Sequence, residues 1–316
     1  MISAAVIVPH VAQTDWLRGI LPSGSVAELP LAGRNFADYA IECLGKLNIA
    51  RAAIVDASPS PRLAAYFGEG TRTRTPVDYV LARECGCAAL PPRGLADLKD
   101  YLARFAAGHP GTVSVTWGIG IPQNDPDENE TEEVSEADLA DTPPGFYRLV
   151  DGKVLRVRTE CLFVRDVASW HAANLELLHN PRIYTLPGYS AEKGIHLGRN
   201  VVMERGTEVK GPVVIDSNVW CARNVRIDGD VIVNSGSFIG EGACLARTVV
   251  GHDTYIGKGL ELRDKIVVGR RIIDAKTGTW TDADDAGVAQ QIGVSRPGVV
   301  RRLYRFLCGA SRGRRG

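Results

Sequence analysis

The chain has 316 residues, 45% of them hydrophobic and 23% charged, with 37 lysines and arginines against 37 aspartates and glutamates. That length suits two domains with separate cores, and the balanced charge supplies no global field to recruit nucleic acid. Without an apolar run of about 18 residues or a charged-then-apolar leader, the chain reads as cytoplasmic rather than exported or membrane-spanning.

The first half alternates strands and helices. Ala4–Pro9 reads as a buried strand, Phe36–Leu47 as an amphipathic helix, Ala52–Val55 as a second strand and Arg62–Phe67 as a short helix. Val77–Leu81 is a third strand, Leu95–Phe105 a helix and Thr112–Trp117 a fourth strand. This order predicts a mostly parallel sheet covered on both faces. Seven cysteines without regular spacing read as reduced thiols, and Cys85-Gly-Cys87 lacks the second pair that a metal site would need.

From Gln123 to Tyr147 there is no lysine or arginine but nine acids, so this acidic loop (123–147) is expected to be a mobile, solvated excursion. Phe146–Val150 and Lys153–Arg158 then form a hairpin across Asp151-Gly152. Cys161–Val164 is a strand, and Asp166–His179 a helix that docks through Val167, Trp170, Ala173, Asn174 and Leu177.

Every sixth residue from Leu197 to Leu245 is apolar, nine times in succession: Leu197, Met203, Val209, Ile215, Cys221, Ile227, Val233, Ile239 and Leu245. Four residues after each comes a small or β-branched one, from Val201 to Val249. A period of six belongs to a parallel β-helix of hexapeptide repeats, with the first and fifth residues of each hexad turned inward. Asn, Asp and Gly between them suit tight corners. After Leu245 the register slips by one residue, and hexads beginning at Val250, Ile256, Leu262 and Val268 complete about four coils. The pattern resembles left-handed β-helix proteins, and the hand comes from that resemblance.

An α/β domain followed by such a ladder resembles the sugar-1-phosphate nucleotidylyltransferases (NDP-sugar pyrophosphorylases). Leu29-Pro-Leu-Ala-Gly-Arg-Asn-Phe-Ala-Asp-Tyr-Ala-Ile is similar to the family's segment entering its first long helix. Arg165-Asp-Val-Ala-Ser-Trp-His-Ala-Ala-Asn is similar to its segment before the β-helix. The resemblance implies NTP and sugar 1-phosphate as substrates, pyrophosphate as product, Mg²⁺ as cofactor, and a place in nucleotide-sugar or cell-surface polysaccharide metabolism. It points to Arg18 as phosphate partner and Asp166 as Mg²⁺ ligand. The catalytic motifs read as degenerate. The turn after the first strand (Pro9–Ala12) has no glycine, Glu28 stands near the expected lysine, and Trp117-Gly-Ile-Gly120 replaces the expected Gly-Asp. Asp166 also reads as a helix N-cap.

Two other functions fit the ladder. A hexapeptide acyltransferase would use acyl-CoA and a histidine base, with His252, just past the slip, ahead of His196. A non-catalytic sensing or scaffolding oligomer would use the coil ends, which need capping or self-association, so a homo-oligomer is expected. From Ala286 onward there is no acid but seven arginines, interleaved with Val299, Val300, Leu303, Tyr304, Phe306 and Leu307. Residues 296–316 thus suit either a β-helix cap or an amphipathic contact with a membrane surface or acidic protein. The expected domains are 1–190, 191–275 and a hinge plus tail, 276–316.

Overall fold

The computed structural model describes the chain apart from residues 1, 12–14, 22–23, 46–48, 59, 68–74, 88–89, 91, 110, 123–129, 159–160, 182–183, 193 and 293–316. It divides into two compact units, residues 1–187 with 275–278, and residues 188–274 with the chain from 279 on. Among the described residues no helix is long and apolar enough to cross a membrane.

The first unit runs β1 (Ile2–Val8), a short hairpin of β2 (Pro30–Leu31) and β3 (Arg34–Asn35), α1 (Phe36–Gly45), β4 (Arg51–Asp56), α2 (Pro61–Phe67) and β5 (Val77–Leu81). There follow α3 (Lys99–Ala107), β6 (Thr112–Trp117), β7 (Ile119–Pro122), β8 (Thr131–Glu133), β9 (Gly145–Val150), β10 (Lys153–Val157), β11 (Cys161–Val164) and α4 (Val167–His179). The main sheet has the order β5-β4-β1-β6-β9-β10-β8. Its first four strands are parallel, and β9, β10 and β8 run antiparallel. Strands β1 and β4 are nearly continuous apolar runs because helices cover parallel strands on both faces. Val6, Val55, Leu98, Leu102, Val115 and Trp117 share one buried core. From β1 the chain builds outward on one side to β4 and β5, then crosses to β6 on the other. The topology therefore reverses between β1 and β6.

The acidic stretch is more ordered than a solvated excursion. Residues 123–129 lie outside the described residues, but β8 pairs with β10 at the sheet edge. There Glu133 meets Lys153 at 3.0 Å and Glu132 meets Arg158 at 3.3 Å. Leu139 is buried, and the Thr142 hydroxyl accepts the Leu95 N–H at 3.0 Å. Cations on neighbouring elements offset the acids and Leu139 anchors the described part of the segment, most of whose other residues are exposed.

The second unit opens with an antiparallel pair, β12 (Tyr189–Glu192) and β13 (Ile195–Leu197). Its strands then visit three sheets in rotation: β14 (Val202–Met203), β15 (Glu208–Lys210), β16 (Val213–Ile215), β17 (Trp220–Cys221), β18 (Arg226–Asp228), β19 (Val231–Val233), β20 (Phe238–Ile239) and β21 (Cys244–Ala246). The rotation continues through β22 (Thr248–Val250), β23 (Thr254–Ile256), β24 (Glu261–Arg263) and β25 (Lys265–Val268). Each strand pairs in parallel with the strand three places on, offset by eighteen residues, as Ile195 opposite Val213 and Val209 opposite Ile227. Ile215, Cys221, Ile227, Val233, Ile239 and Leu245 form the enclosed core.

Three details differ from the six-residue reading. Met203 is 37% exposed and Leu197 and Val209 are only partly buried, because the first coil has no coil stacked before it. At the slip, Arg247 adopts a positive φ of 47° and the offset drops to seventeen, with Val231 opposite Thr248. Thr248 thus takes the inward corner, its hydroxyl donating to the Ala246 carbonyl, and Val249 falls on the alternate face. The last hexad, from Val268, does not continue the ladder. The chain reverses at Gly269 into β26 (Arg271–Asp274), antiparallel to β25, then β27 (Trp280–Asp282), while β28 (Ala289–Gln291) runs antiparallel to β23.

Candidate functional site

The two stretches that carry the family resemblance meet in the first unit. The Trp170 indole N–H on α4 donates to the Pro30 carbonyl at 2.7 Å. The buried Asn174 amide oxygen accepts the Ala32 N–H at 2.8 Å, and its amide nitrogen donates to the Trp170 carbonyl at 2.9 Å. Ala32 at φ 42° and Gly33 at φ 85° make the tight turn between β2 and β3. Asn174 closes a donor that this turn would otherwise bury unpaired.

In open α/β sheets, ligands gather outside the carboxyl ends of the strands where the topology reverses. Here those ends belong to β1 and β6. His10, just after β1, stacks on Trp117 at the end of β6, with centroids 4.8 Å apart and planes 22° from parallel. Gly118 donates its N–H to the Val8 carbonyl at 2.9 Å, tying the two strand ends together. Trp16, on the turn after β1, lies 6.4 Å from Trp170. Nδ1 of His10 and Nε1 of both Trp16 and Trp117 are buried and lack a hydrogen-bond partner among the described residues. An unpaired buried polar group costs about 1–3 kcal/mol, so His10 and Trp117, stacked on each other, mark a place where a polar partner would be stabilising. Burial holds the His10 ring below its ordinary pKa of 6.5, leaving it neutral at neutral pH.

Beyond the next strand end, Asp56 terminates β4 in full burial. Its carboxylate accepts the Ser25 hydroxyl at 2.5 Å, the Tyr79 hydroxyl at 3.0 Å and the Ser58 N–H at 3.2 Å. Burial raises its pKa and these hydrogen bonds oppose the rise. Burial also pushes the Tyr79 phenol upward, aided by the Asp56 charge. The Ser60 hydroxyl donates to Glu28 and caps α2 through the Leu63 N–H at 3.0 Å. Glu28 thus has a role in fastening the segment that replaces the expected lysine region.

Of the residues the sequence singled out, Arg18 sits on the 3-10 turn Asp15–Gly19, with its side chain outside the described residues. Asp166 is the N-cap of α4. Its Oδ1 accepts the Ser169 N–H at 2.8 Å and the Ser169 hydroxyl at 2.7 Å, while Ser169 Oγ accepts the Asp166 N–H at 3.0 Å. The Ser169 N–H bond, foremost, holds the carboxyl below its usual range. His252 lies on a corner of the second unit, with Nδ1 2.9 Å from the Ser235 hydroxyl and its carbonyl bonded by Gln291 and Thr254. His196 is a half-buried β13 residue whose pKa burial lowers.

Mg²⁺ asks for an octahedral oxygen shell anchored by one or two carboxylates. Among the described residues no group of three or more His, Cys, Asp or Glu could hold a metal. Asp166 spends Oδ1 on its cap, and the end of β6 offers an indole instead of an acid. Asp166 thus serves α4 as a cap through Oδ1, and no group of three or more such ligands accompanies it among the described residues. Asp125 and Asp127 lie outside the described residues.

A groove of about 640 Å³ at the sheet edge is lined by Arg51, Asp78, Tyr79, Tyr101, Arg104 and His109. Arg51 is held there by a bidentate pair with Asp78, at 2.6 and 2.9 Å. None of its lining residues belongs to β1 or β6, so the reversal point remains the better site. His10, Trp16 and Trp117 escaped the sequence reading because a ring beside a buried strand looks like core. The one legible signal was a histidine directly after the first buried strand.

The fold is a parallel-rich α/β unit followed in the chain by a ladder of short parallel strands. No protein-family model matches the chain. A UTP–glucose-1-phosphate uridylyltransferase of Synechocystis sp. is 29% identical over 133 residues, covering 42% of this chain. The chain spans about a third, 34%, of the length of that curated relative. This similarity relates the chain distantly to sugar-phosphate nucleotidyltransferases.

Proposed function

We propose that the protein is a sugar-1-phosphate nucleotidylyltransferase relative, binding an NTP and a sugar 1-phosphate at the crevice between the ends of β1 and β6. On this reading the second unit is a left-handed parallel β-helix of hexapeptide repeats, its hand resting on the resemblance. The observation that carries the proposal is the pair of orphaned ring nitrogens on His10 and Trp117 at the topological reversal, in a chain with a uridylyltransferase relative. His10 and Trp117 would present a flat aromatic wall and hydrogen-bonding edges to a base. Arg18 would offset phosphate charge as the sugar phosphate oxygen attacks the α-phosphorus and pyrophosphate leaves. The protein would act in the cytoplasm, in nucleotide-sugar or surface-polysaccharide metabolism. Residues 296–316 would bring it to an anionic membrane surface, in which case salt-sensitive binding to anionic liposomes disappears when they are deleted.

UTP and glucose 1-phosphate, the substrates named for the relative, are the first pair to test. UTP should quench the fluorescence of Trp16 and Trp117. Pyrophosphate should appear when glucose 1-phosphate is added in Mg²⁺ buffer, and Arg18→Ala should reduce its release at least tenfold. A folded protein that neither binds nor turns over any NTP with any sugar 1-phosphate overturns the proposal.

A further inference from the structure

The groove of about 640 Å³ at the edge of the main sheet is lined from α2, β5 and α3, and shares no residue with the crevice between β1 and β6. Its volume suits a small organic ligand. Tyr101, Phe105 and His109 stand at successive intervals of four, so they share one face of α3 and of the chain just beyond it. The Phe105 ring lies 6.0 Å from Tyr101, tilted by 30°, and 4.5 Å from His109, tilted by 31°. Nδ1 of His109 is 2.8 Å from the Phe105 carbonyl, so that nitrogen carries the hydrogen and the imidazole is held in the row. Three rings therefore form one continuous wall of the groove.

Cations gather at the Tyr101 end of that wall. Burial pushes the Tyr101 phenol up to about 12, and the charges of both Arg51 and Arg104 act on it in the opposite sense. Two guanidinium groups thus flank one phenol. Arg51 pairs with Asp78 through Nε and Nη2, which fixes its plane and leaves Nη1 without a hydrogen bond among the described residues. Arg104 is exposed on α3 and has no ion pair among the described residues. The Tyr101 hydroxyl likewise has no hydrogen-bond partner among them. Asp78 is the one acid in the lining, and Arg51 offsets it, so Arg104 leaves a net positive charge. Uncommitted donors on two guanidiniums and a phenol suit the several acceptor oxygens of a phosphate. The adjoining rings offer apolar faces for a planar group attached to it.

We infer that this groove is a separate ligand site for a small phosphate monoester bearing a planar ring, with the phosphate between Arg51 and Arg104 and the ring along Tyr101, Phe105 and His109. Isothermal titration calorimetry of the full chain with phenyl phosphate tests it. Saturable one-to-one binding is expected, weakened at least tenfold in Arg104→Glu. Arg104 is exposed and unpaired among the described residues, so that variant keeps the fold, which an unchanged circular dichroism melt verifies. Inorganic phosphate should bind at least tenfold more weakly than phenyl phosphate, because it makes no use of the ring wall. His10→Phe should bind phenyl phosphate as the wild type does, which separates the groove from the crevice. No saturable binding up to about 10 mM overturns the inference. So does binding indifferent to Arg104→Glu, or binding lost in His10→Phe, which assigns the ligand to the crevice. Equal affinity for inorganic phosphate or for benzoate also overturns it, since the first leaves the rings unused and the second needs no phosphate.

Discussion

Asp56 gathers donors from three places, the Ser25 and Tyr79 hydroxyls and the Ser58 N–H. In Asp56→Ala, Tyr79 keeps the Ser58 carbonyl at 3.1 Å and its hydrogen bond with Ser25, but the partly buried Ser58 N–H loses its acceptor. A buried donor left unpaired costs about 1–3 kcal/mol, so urea denaturation should show a loss of about that size. Asp166→Ala removes a helix cap and should cost about 0.5–2 kcal/mol at neutral pH. Because the folded state lowers this carboxyl from 3.8, its stabilisation is complete above that value and fades as pH falls through the lower folded value. Wild type and variant should therefore converge in strong acid, as melts across pH would show. His10 acts in the same direction but in a higher pH window. Its lowered pKa means the folded protein binds fewer protons than the unfolded chain below 6.5, so stability declines as pH falls through that window. His10→Phe keeps the stack on Trp117 without the titration, and should flatten that decline.

At the scale of the element, equal places in the hexad do not carry equal energies. Ile239 is completely buried between coils, and Ile239→Ala should cost about 2–5 kcal/mol through lost contacts and a residual cavity. Met203, one hexad beyond Leu197, lies in the open first coil at 37% exposure. Met203→Ala should change stability by about 0.5 kcal/mol or less. Thermal melts of the two variants check the contrast. The far end is closed differently, since β26, β27 and β28 pair antiparallel and cover strand edges that another chain could otherwise join.

Across the whole molecule, the described carboxylates are placed for folding more than for metal binding. Asp56 ties strand ends, Asp166 caps a helix, and Glu132, Glu133 and Glu136 pair with Arg158, Lys153 and Lys99. A metal held by the folded state would raise the melting temperature. Chelation by EDTA should therefore leave the melting temperature of the ligand-free protein unchanged, measured by circular dichroism. A clear fall would reveal a site built from residues beyond those described.

Several strands of the first unit were legible to the residue, whereas β2, β3, β7 and β8 were not read and α3 starts four residues later than its apolar pattern suggested. β5, β6 and β11 begin and end where the apolar runs do. The six-residue period likewise announced the ladder, because such patterns are local and each residue reports its own environment. Composition could not show that the acids of β8 sit opposite cations on a neighbouring strand. Nor could the period distinguish a last hexad that stacks from one that turns back at Gly269. The order β5-β4-β1-β6, and with it the stacking of His10 on Trp117 at neighbouring strand ends, also came only from the tertiary structure. Periodicity records which side of a segment is buried, whereas strand partners and strand-end neighbours depend on contacts between residues far apart in the chain.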